Sequence, residues 1–372
     1  MPYQLRTNIC DMLGMQYPIF AFTHKVQVVI AISRAGGFPV YGATRDTPEE
    51  IEQVVKDVRA AIGNRPFGLN LVLPEGMPDE DNREVIEAQI PERHRQFVKG
   101  LVDKYEVPRN TKPAMRTKFI RSKEMNQRQI DTVMNSDVPL LAFGIGAPPE
   151  VVQEAHRRGK KVLALVGNPK HAVRAINKGV DLIVAQGHES AAHTGNITTF
   201  SLVPQVVDVA GNVPVLAAGG VATGRHIMAA LAMGAQGVWC GTSWLLTKEW
   251  GLDPIIQEKL AAARSEDTLI TRSESGKTFR QIRSAWSEEW ENNPEAPRPL
   301  RMPLQDVLVG DMLGAILEHR VAPLMHHAAG QGIAYSNKVQ TVQEVFTGMV
   351  EEAEATMNRL SQGEGASRGK AA

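Results

Sequence analysis

A chain of 372 residues is long for one domain and fits a single (β/α)8 barrel that carries insertions. Apolar residues make up 43% and charged residues 22%, and the formal net charge is zero. That balance excludes a disordered chain and gives no basic surface for nucleic acid. No run approaches eighteen apolar residues, and the opening MPYQLRTNIC lacks a signal pattern. The only cysteines, Cys10 and Cys240, form neither a metal spacing nor a disulfide framework. The expectation is a cytoplasmic protein with no membrane or nucleic-acid partner.

Short apolar strands alternate with helical patterns, as βα units on a parallel sheet require. In chain order the predicted strands are Pro18–Phe22, Phe38–Tyr41, Phe67–Val72, Pro139–Gly144, Lys161–Val166, Asp181–Gln186, Pro214–Gly219 and Gly237–Gly241. Eight such strands predict an α/β fold, a (β/α)8 TIM barrel. Thr47-Pro48-Glu49-Glu50 opens one helix with an N-cap, a first-turn proline and acids at the positive dipole end. Pro148-Pro149-Glu150 opens another, and Asn168 caps a third that runs from Pro169 to about Asn177. Gly37, Gly159, Gly179, Gly211 and Gly234 precede strands as helix C-caps, and Gly63 stands slightly further from its strand.

Two stretches break this rhythm. An insertion over about 74–130 follows the third strand; it is rich in charge, with an amphipathic segment from Ile90 to Tyr105. A helical excursion over the barrel mouth is expected there, either a decoration or a lid on the substrate pocket. Residues 267–360 read as a C-terminal helical region that wraps back onto a barrel of residues 1–266, with Pro294, Pro297 and Pro299 as a stiff connection. Residues 361–372 read as a disordered tail.

The chemistry concentrates in DLIVAQGHESAAHTG, residues 181–195. An apolar strand ends there in Gln186-Gly187 and delivers His188, Glu189 and His193 into one loop. Two glycine-tipped strands follow. Gly219-Gly220 precedes a helix that begins near Thr223, and Gly241-Thr242 ends the next strand. Backbone N–H groups at adjacent loops of this kind cradle a phosphate, and barrels place such a site after strands seven and eight. Arg225 and His226 at the helix start either touch that phosphate or form a solvated face. Asn70 and Gln186 are amides in apolar strands and suit a ligand that offers donors and acceptors, such as a flavin. Small neighbours around His193 admit a planar ligand, and its imidazole is the acid–base candidate. His24 and His188 are secondary substrate-binding candidates. No ligand spacing supports a metal. Ala328-Ala329-Gly330-Gln331-Gly332 is either a turn or a backbone patch against a flat ligand.

The stretches VAQGHESAAHTG, VPVLAAGGVATGRHIMAALAMGAQGVWCGT, FGLNL and GMQYPIF resemble the nitronate monooxygenase (2-nitropropane dioxygenase) family. They also resemble its relatives, the FMN-dependent enoyl-acyl-carrier-protein reductases. GKTFRQIRSAW, MPLQDVL and AAGQG extend the resemblance to the larger nitronate monooxygenases. The resemblance implies FMN held by Asn70, Gln186 and Ala191, with its phosphate end at Gly220, Trp239, Cys240, Gly241 and Thr242. It also implies that Gly330, Gln331 and Gly332 lie near the cofactor, with His193 near flavin and substrate. Where the family reads EAGGH, this chain reads Glu189-Ser190-Ala191-Ala192-His193; where it commonly reads APM, this chain reads Phe22-Thr23-His24. Both departures point to an altered substrate pocket. The expected activity is oxidation of a nitronate, a nitroalkane or a related carbanion-forming substrate with O2. The alternatives are an NAD(P)H-dependent flavin reductase of enoyl or quinone substrates and a non-redox phosphosugar-type barrel enzyme. A homo-oligomer is left open.

Overall fold

The computed structural model describes residues 4–73, 76–144 and 148–363. Every apolar run predicted as a strand is one: β1 (Ile19–Thr23), β2 (Phe38–Gly42), β3 (Gly68–Leu71), β4 (Leu140–Phe143), β5 (Lys161–Val166) and β6 (Leu182–Gln186). After a short strand in the next loop, β7 (Ala192–His193), come β8 (Val215–Ala218) and β9 (Gly237–Cys240), and further on β10 (Thr268–Thr271) and β11 (Phe279–Ile282). Eight of them close a parallel barrel in the order β1-β2-β3-β4-β5-β6-β8-β9, with Phe20 of β1 registered on Trp239 of β9.

Alternation along each strand sorts the side chains. Phe20, Phe38, Val40, Leu163, Val184 and Leu216 fill the barrel interior, while Ile19, Ala21, Leu69, Ile183 and Val215 face the helices. The helix Asn8–Leu13 supplies Ile9, Cys10 and Leu13 to the interior cluster and stops its amino-terminal end. The cap predictions hold at Thr47, whose backbone N–H donates to Glu50 at 2.7 Å. They hold also at Asn168, which accepts from His171 N at 2.9 Å. Gly159, Gly179, Gly211 and Gly234 have the positive φ that such termini favour. After the helix Val26–Ala35, the left-handed residue is Gly36 rather than Gly37.

The C-terminal region is not purely helical, contrary to expectation. It begins with the antiparallel pair β10 and β11, and β11 adds β7 to make a three-stranded sheet. Its last helix, Val342–Ser361, packs against both Gly224–Ala232 and Val26–Ala35. That is the outer-ring place after β9, so the chain leaves the barrel and returns to supply its eighth helix. The predicted tail beyond residue 363 lies outside the described residues.

Within the insertion, helices Arg83–Glu87 and Glu92–Lys104 lean on the helix Leu304–Glu318. The tether is ionic. Asp306, in the first turn of that helix, accepts from Arg45 at 3.1 Å and from Arg116 and Arg121 at 2.8 Å each. Arg116 also pairs with Glu274, which His326 contacts on its other oxygen. Segments distant in sequence are thereby joined through side chains that are nearly all buried. Among the described residues, no helix is long and apolar enough to cross a membrane.

Candidate active site

At the carboxyl end of the barrel a cavity gathers residues from most of the strand ends. Asn70 lies near the end of β3, and its amide donates to Ala142 O at 3.0 Å. Among the described residues none donates to its Oδ1, and Asn70 lines the cavity. Gln186, at the end of β6, donates to Ser190 Oγ at 3.0 Å and to His193 O at 2.8 Å. It therefore pins the histidine loop while lining the same cavity. Trp239 forms a wall, stacked on Phe22 with ring centroids 5.8 Å apart. Cys240 lies beside it, and burial pushes its thiol up to about 12, so it stays protonated and unreactive.

Gly219 and Gly220 have φ of 100° and 73°, a backbone region that side-chain-bearing residues rarely enter. A Cβ on Gly219 would meet Thr199 Oγ1 at 2.7 Å. Among the described residues, the N–H groups of Gly219, Gly220, Gly241 and Thr242 donate to no protein acceptor. Four unpaired amides in one cavity are the donor set a phosphate monoester requires. Thr242 Oγ1 accepts from Gly330 N at 2.9 Å, which brings the distant Gly330–Gly332 turn to the cradle. Gly332 lines the cavity. Gly330 and Gln331 sit one layer back: Gly330 lies against Glu189 and Ala191, and Gln331 N donates to Glu189 O at 2.9 Å.

His193 lines the cavity from β7. β11 holds it in place: Phe279 registers on His193, and Arg280 on Ala192. Its Nδ1 lies 3.1 Å from Thr278 O; a carbonyl can only accept, so Nδ1 carries the proton and Nε2 the lone pair. Burial lowers its pKa to about 4, the Thr278 carbonyl opposes that in part, and the positive charge of Arg121 and Lys277 adds to it. The ring is neutral at pH 7 and basic at Nε2. Ala191 and Ala192 line the cavity beside it, and Ala192 has φ of 57° without being glycine.

His24 lines the cavity, its Nδ1 donating to Gly42 O at 2.8 Å. His188 does not line the cavity. Its Nδ1 donates to Gly195 O at 2.9 Å, so the ring braces the loop from within, and its expected substrate contact is corrected. Glu189 is likewise structural, accepting from the N–H and hydroxyl of Thr199 at 2.8 and 2.9 Å. Arg225 pairs with Glu352 on the last helix, not with the cradle. None of the described insertion residues is among those lining the cavity, which leaves a lid role without a contact.

Sequence reasoning missed Thr278, Arg280 and His327. Arg280 donates to His188 O at 3.2 Å and to Thr268 Oγ1 at 2.9 Å, stapling the loop. His327 is a second imidazole in the cavity, also lowered to about 4 by burial. Thr278-Phe279-Arg280-Gln281-Ile282 breaks apolar/polar alternation at Arg280-Gln281, so no clear strand period marked these residues.

Free amides at two adjacent strand ends and a neutral imidazole line one cavity at the carboxyl end of the barrel. The chain belongs to the nitronate monooxygenase family, whose model matches residues 6–352. It is 39% identical over 374 residues to a Mycobacterium tuberculosis protein named "Putative monooxygenase Rv1533", covering 96% of this chain and 98% of that one. It is 27% identical over 343 residues to the "Probable nitronate monooxygenase" of Staphylococcus aureus, covering 88% and 91%. Among solved structures, nitroalkane oxidase from Streptomyces ansochromogenes superposes with a TM-score of 0.78 at 24% identity, covering 95% of this chain and 99% of that one. FabK from Thermotoga maritima superposes with a TM-score of 0.73 at 24% identity, covering 96% and 99%; at this identity both show the shared fold. Family membership makes the chain a flavin-dependent oxidoreductase.

Proposed function

We propose that this chain is an FMN-dependent oxidoreductase of the nitronate monooxygenase type, which oxidises a nitronate, a nitroalkane or a related carbanion-forming substrate with O2. The observation that carries this reading is the neutral His193 imidazole in the same cavity as the unpaired amides of Gly219, Gly220, Gly241 and Thr242. Those amides suit the phosphate of a mononucleotide, and Asn70 and Gln186 suit the polar edge of its ring. When bound, a flavin would supply the redox chemistry that links oxidation of the substrate to reduction of oxygen.

The remaining work falls to the protein. Donation from Nδ1 to Thr278 fixes the tautomer, so Nε2 is the atom that removes the α-proton of a neutral nitroalkane. A substrate that arrives as the nitronate needs only orientation. Phe22, Val72, Leu165 and Leu245 give the cavity apolar walls that keep water from the carbanion.

The test is the absorption spectrum of the purified protein, identification of the flavin released on heating, and oxygen uptake with nitroalkanes and their nitronates. Yellow protein that releases FMN and consumes oxygen is the expected result. A colourless protein that takes up no flavin returns the phosphosugar-type reading, and flavoprotein without oxygen uptake removes the monooxygenase.

A further inference from the structure

Two further imidazoles line the cavity that His193 lines, and neither is used in the proton abstraction assigned to His193. His24 immediately follows β1, and His327 comes from the C-terminal region, just before the Gly330–Gly332 turn. Round the barrel β1 lies three places from β6, by way of β8 and β9, so His24 stands nearly opposite the loop that carries His193. Each ring is fixed twice. His24 Nδ1 meets Gly42 O at 2.8 Å, and its ring stands edge-on to Phe22 with centroids 5.1 Å apart. His327 Nδ1 meets Ala328 O at 2.9 Å, and its ring stands edge-on to Trp250 at 6.0 Å. A carbonyl only accepts, so both Nδ1 atoms carry the proton and both Nε2 atoms a lone pair. Among the described residues nothing donates to either Nε2. Burial lowers the pKa of His24, the Gly42 carbonyl opposes that in part, and the positive charge of Lys25 and Arg45 adds to it. A proton on His24 would disfavour one on His327, so the two rings stand within electrostatic reach of each other. His24 is closely surrounded by protein and yet exposed, a combination that arises when the free surface of a side chain faces a cavity.

Two neutral nitrogens that can only accept select a ligand by its chemistry. They have no hydrogen to give an anion. An ammonium group finds no counter-charge, because no carboxylate is among the described residues that line the cavity and the charges that bear on His24 are positive. A neutral group with two hydrogens to donate satisfies both. We propose that His24 and His327 determine specificity by jointly accepting from a neutral pair of donors, a vicinal diol or a primary amide, at the end of the substrate remote from His193. The inference rests on the nitroalkane-oxidising reading for the chemistry at His193, and deepens it by naming what the far end of the substrate carries. Position 24 is where the family commonly has the methionine of APM, whose thioether is a weak acceptor. An apolar far end would strip water from two lone pairs and replace it with nothing, and a site built to hydrogen-bond rejects such an analogue.

The experiment is titration calorimetry on the full chain as purified, with tertiary nitro compounds that lack an α-hydrogen, so that binding is read without turnover. The probes are 4-methyl-4-nitropentane-1,2-diol, 4-methyl-4-nitropentanamide and 2,4-dimethyl-2-nitrohexane, the last being the diol with methyl groups in place of its hydroxyls. The diol or the amide is expected to bind at least about tenfold more tightly than the nitrohexane, and the tighter of the two identifies the donor pair. This comparison on the unaltered chain needs no variant to fold. His24→Met and His327→Phe are each expected to weaken the preferred probe about threefold to tenfold, the worth of one hydrogen bond. Affinity for the nitrohexane should stay within about twofold and flavin content should be retained, with melting temperatures confirming that both variants fold. Equal affinity of the unaltered chain for all three probes overturns the proposal. So does a loss of flavin in both variants with the same effect on every probe, which would assign the two imidazoles to the cofactor. A protein that shows no flavin or oxygen uptake, but still prefers the diol or the amide through His24 and His327, keeps the subsite and removes only the redox reading.

Discussion

His193 Nδ1 lies 3.1 Å from the carbonyl oxygen of Thr278, a residue 85 positions away in sequence, and this bond decides which nitrogen is basic. Replacement of His193 by Ala is expected to lower turnover of a neutral nitroalkane by about 10²–10⁴-fold, the usual contribution of a general base. Turnover of the same compound supplied as its nitronate should fall far less. Oxygen-uptake kinetics on the two forms make the comparison, and equal loss on both would remove proton abstraction from the role of His193.

Ala192 occupies a left-handed conformation, φ 57°, where the family motif has glycine. Left-handed backbone costs an L-residue roughly 1–2 kcal/mol, partly offset by the greater unfolded-state entropy of glycine. Ala192→Gly is therefore expected to raise the melting temperature by about 2 °C. A lower melting temperature would show that the alanine methyl packs better than its backbone is strained.

Gly219→Ala combines a left-handed φ of 100° with a Cβ placed 2.7 Å from Thr199 Oγ1 and 3.0 Å from Gly187 O. The strain falls on the turn proposed to hold the phosphate. Loss of about 1–3 kcal/mol of stability is expected, together with reduced flavin content in the purified protein. Full flavin content at unchanged stability would move the phosphate away from this turn.

Asp306 is held well below the usual carboxylate range, despite its burial, by Arg45, Arg116 and Arg121. Asp306→Asn leaves three guanidinium groups facing one another with Glu274 as the remaining acid. Denaturant unfolding should show a loss of about 3–5 kcal/mol, the cost of breaking a buried ion network on one side. A loss below about 1 kcal/mol would mean that water already screens the cluster.

His193 and His327 are both lowered to about 4 by burial, against about 6.5 when unfolded. Between those values the unfolded chain binds more protons than the folded one, so stability falls as pH drops from about 6.5 towards 4. Each imidazole contributes up to about 3 kcal/mol to that fall. Glu274, held down to about 2 by Arg116 and His326 against its burial, acts lower, its stabilisation being lost as pH falls below the ordinary carboxylate range. His327→Gln should flatten the pH dependence of melting between about pH 6.5 and 4.5. An unchanged slope would show that His327 is already protonated in the folded protein.

The eight barrel strands were legible because a parallel sheet buried on both faces writes itself as short continuous apolar runs. The helix starts at Thr47 and Asn168 were legible because capping is local. The glycines at 219, 220 and 241 were legible as strand-end turns because free amides there need residues without side chains in the way. His188 was misjudged, because a histidine in a loop looks the same whether its ring meets a ligand or braces Gly195. The C-terminal region was read as helical because β10 and β11 are four residues each and lack strong periodicity against their aromatic surroundings.

By itself the sequence determined the barrel, the glycine-tipped strand ends and the candidate imidazole, each encoded in short consecutive stretches where local propensity and burial pattern act. Tertiary structure alone decided the rest. It set the His193 tautomer through Thr278, the joining of insertion and extension through Asp306, and the closing of the helical ring by Val342–Ser361. These relationships depend on where distant segments meet, and no local pattern of residues records that meeting before the chain has packed.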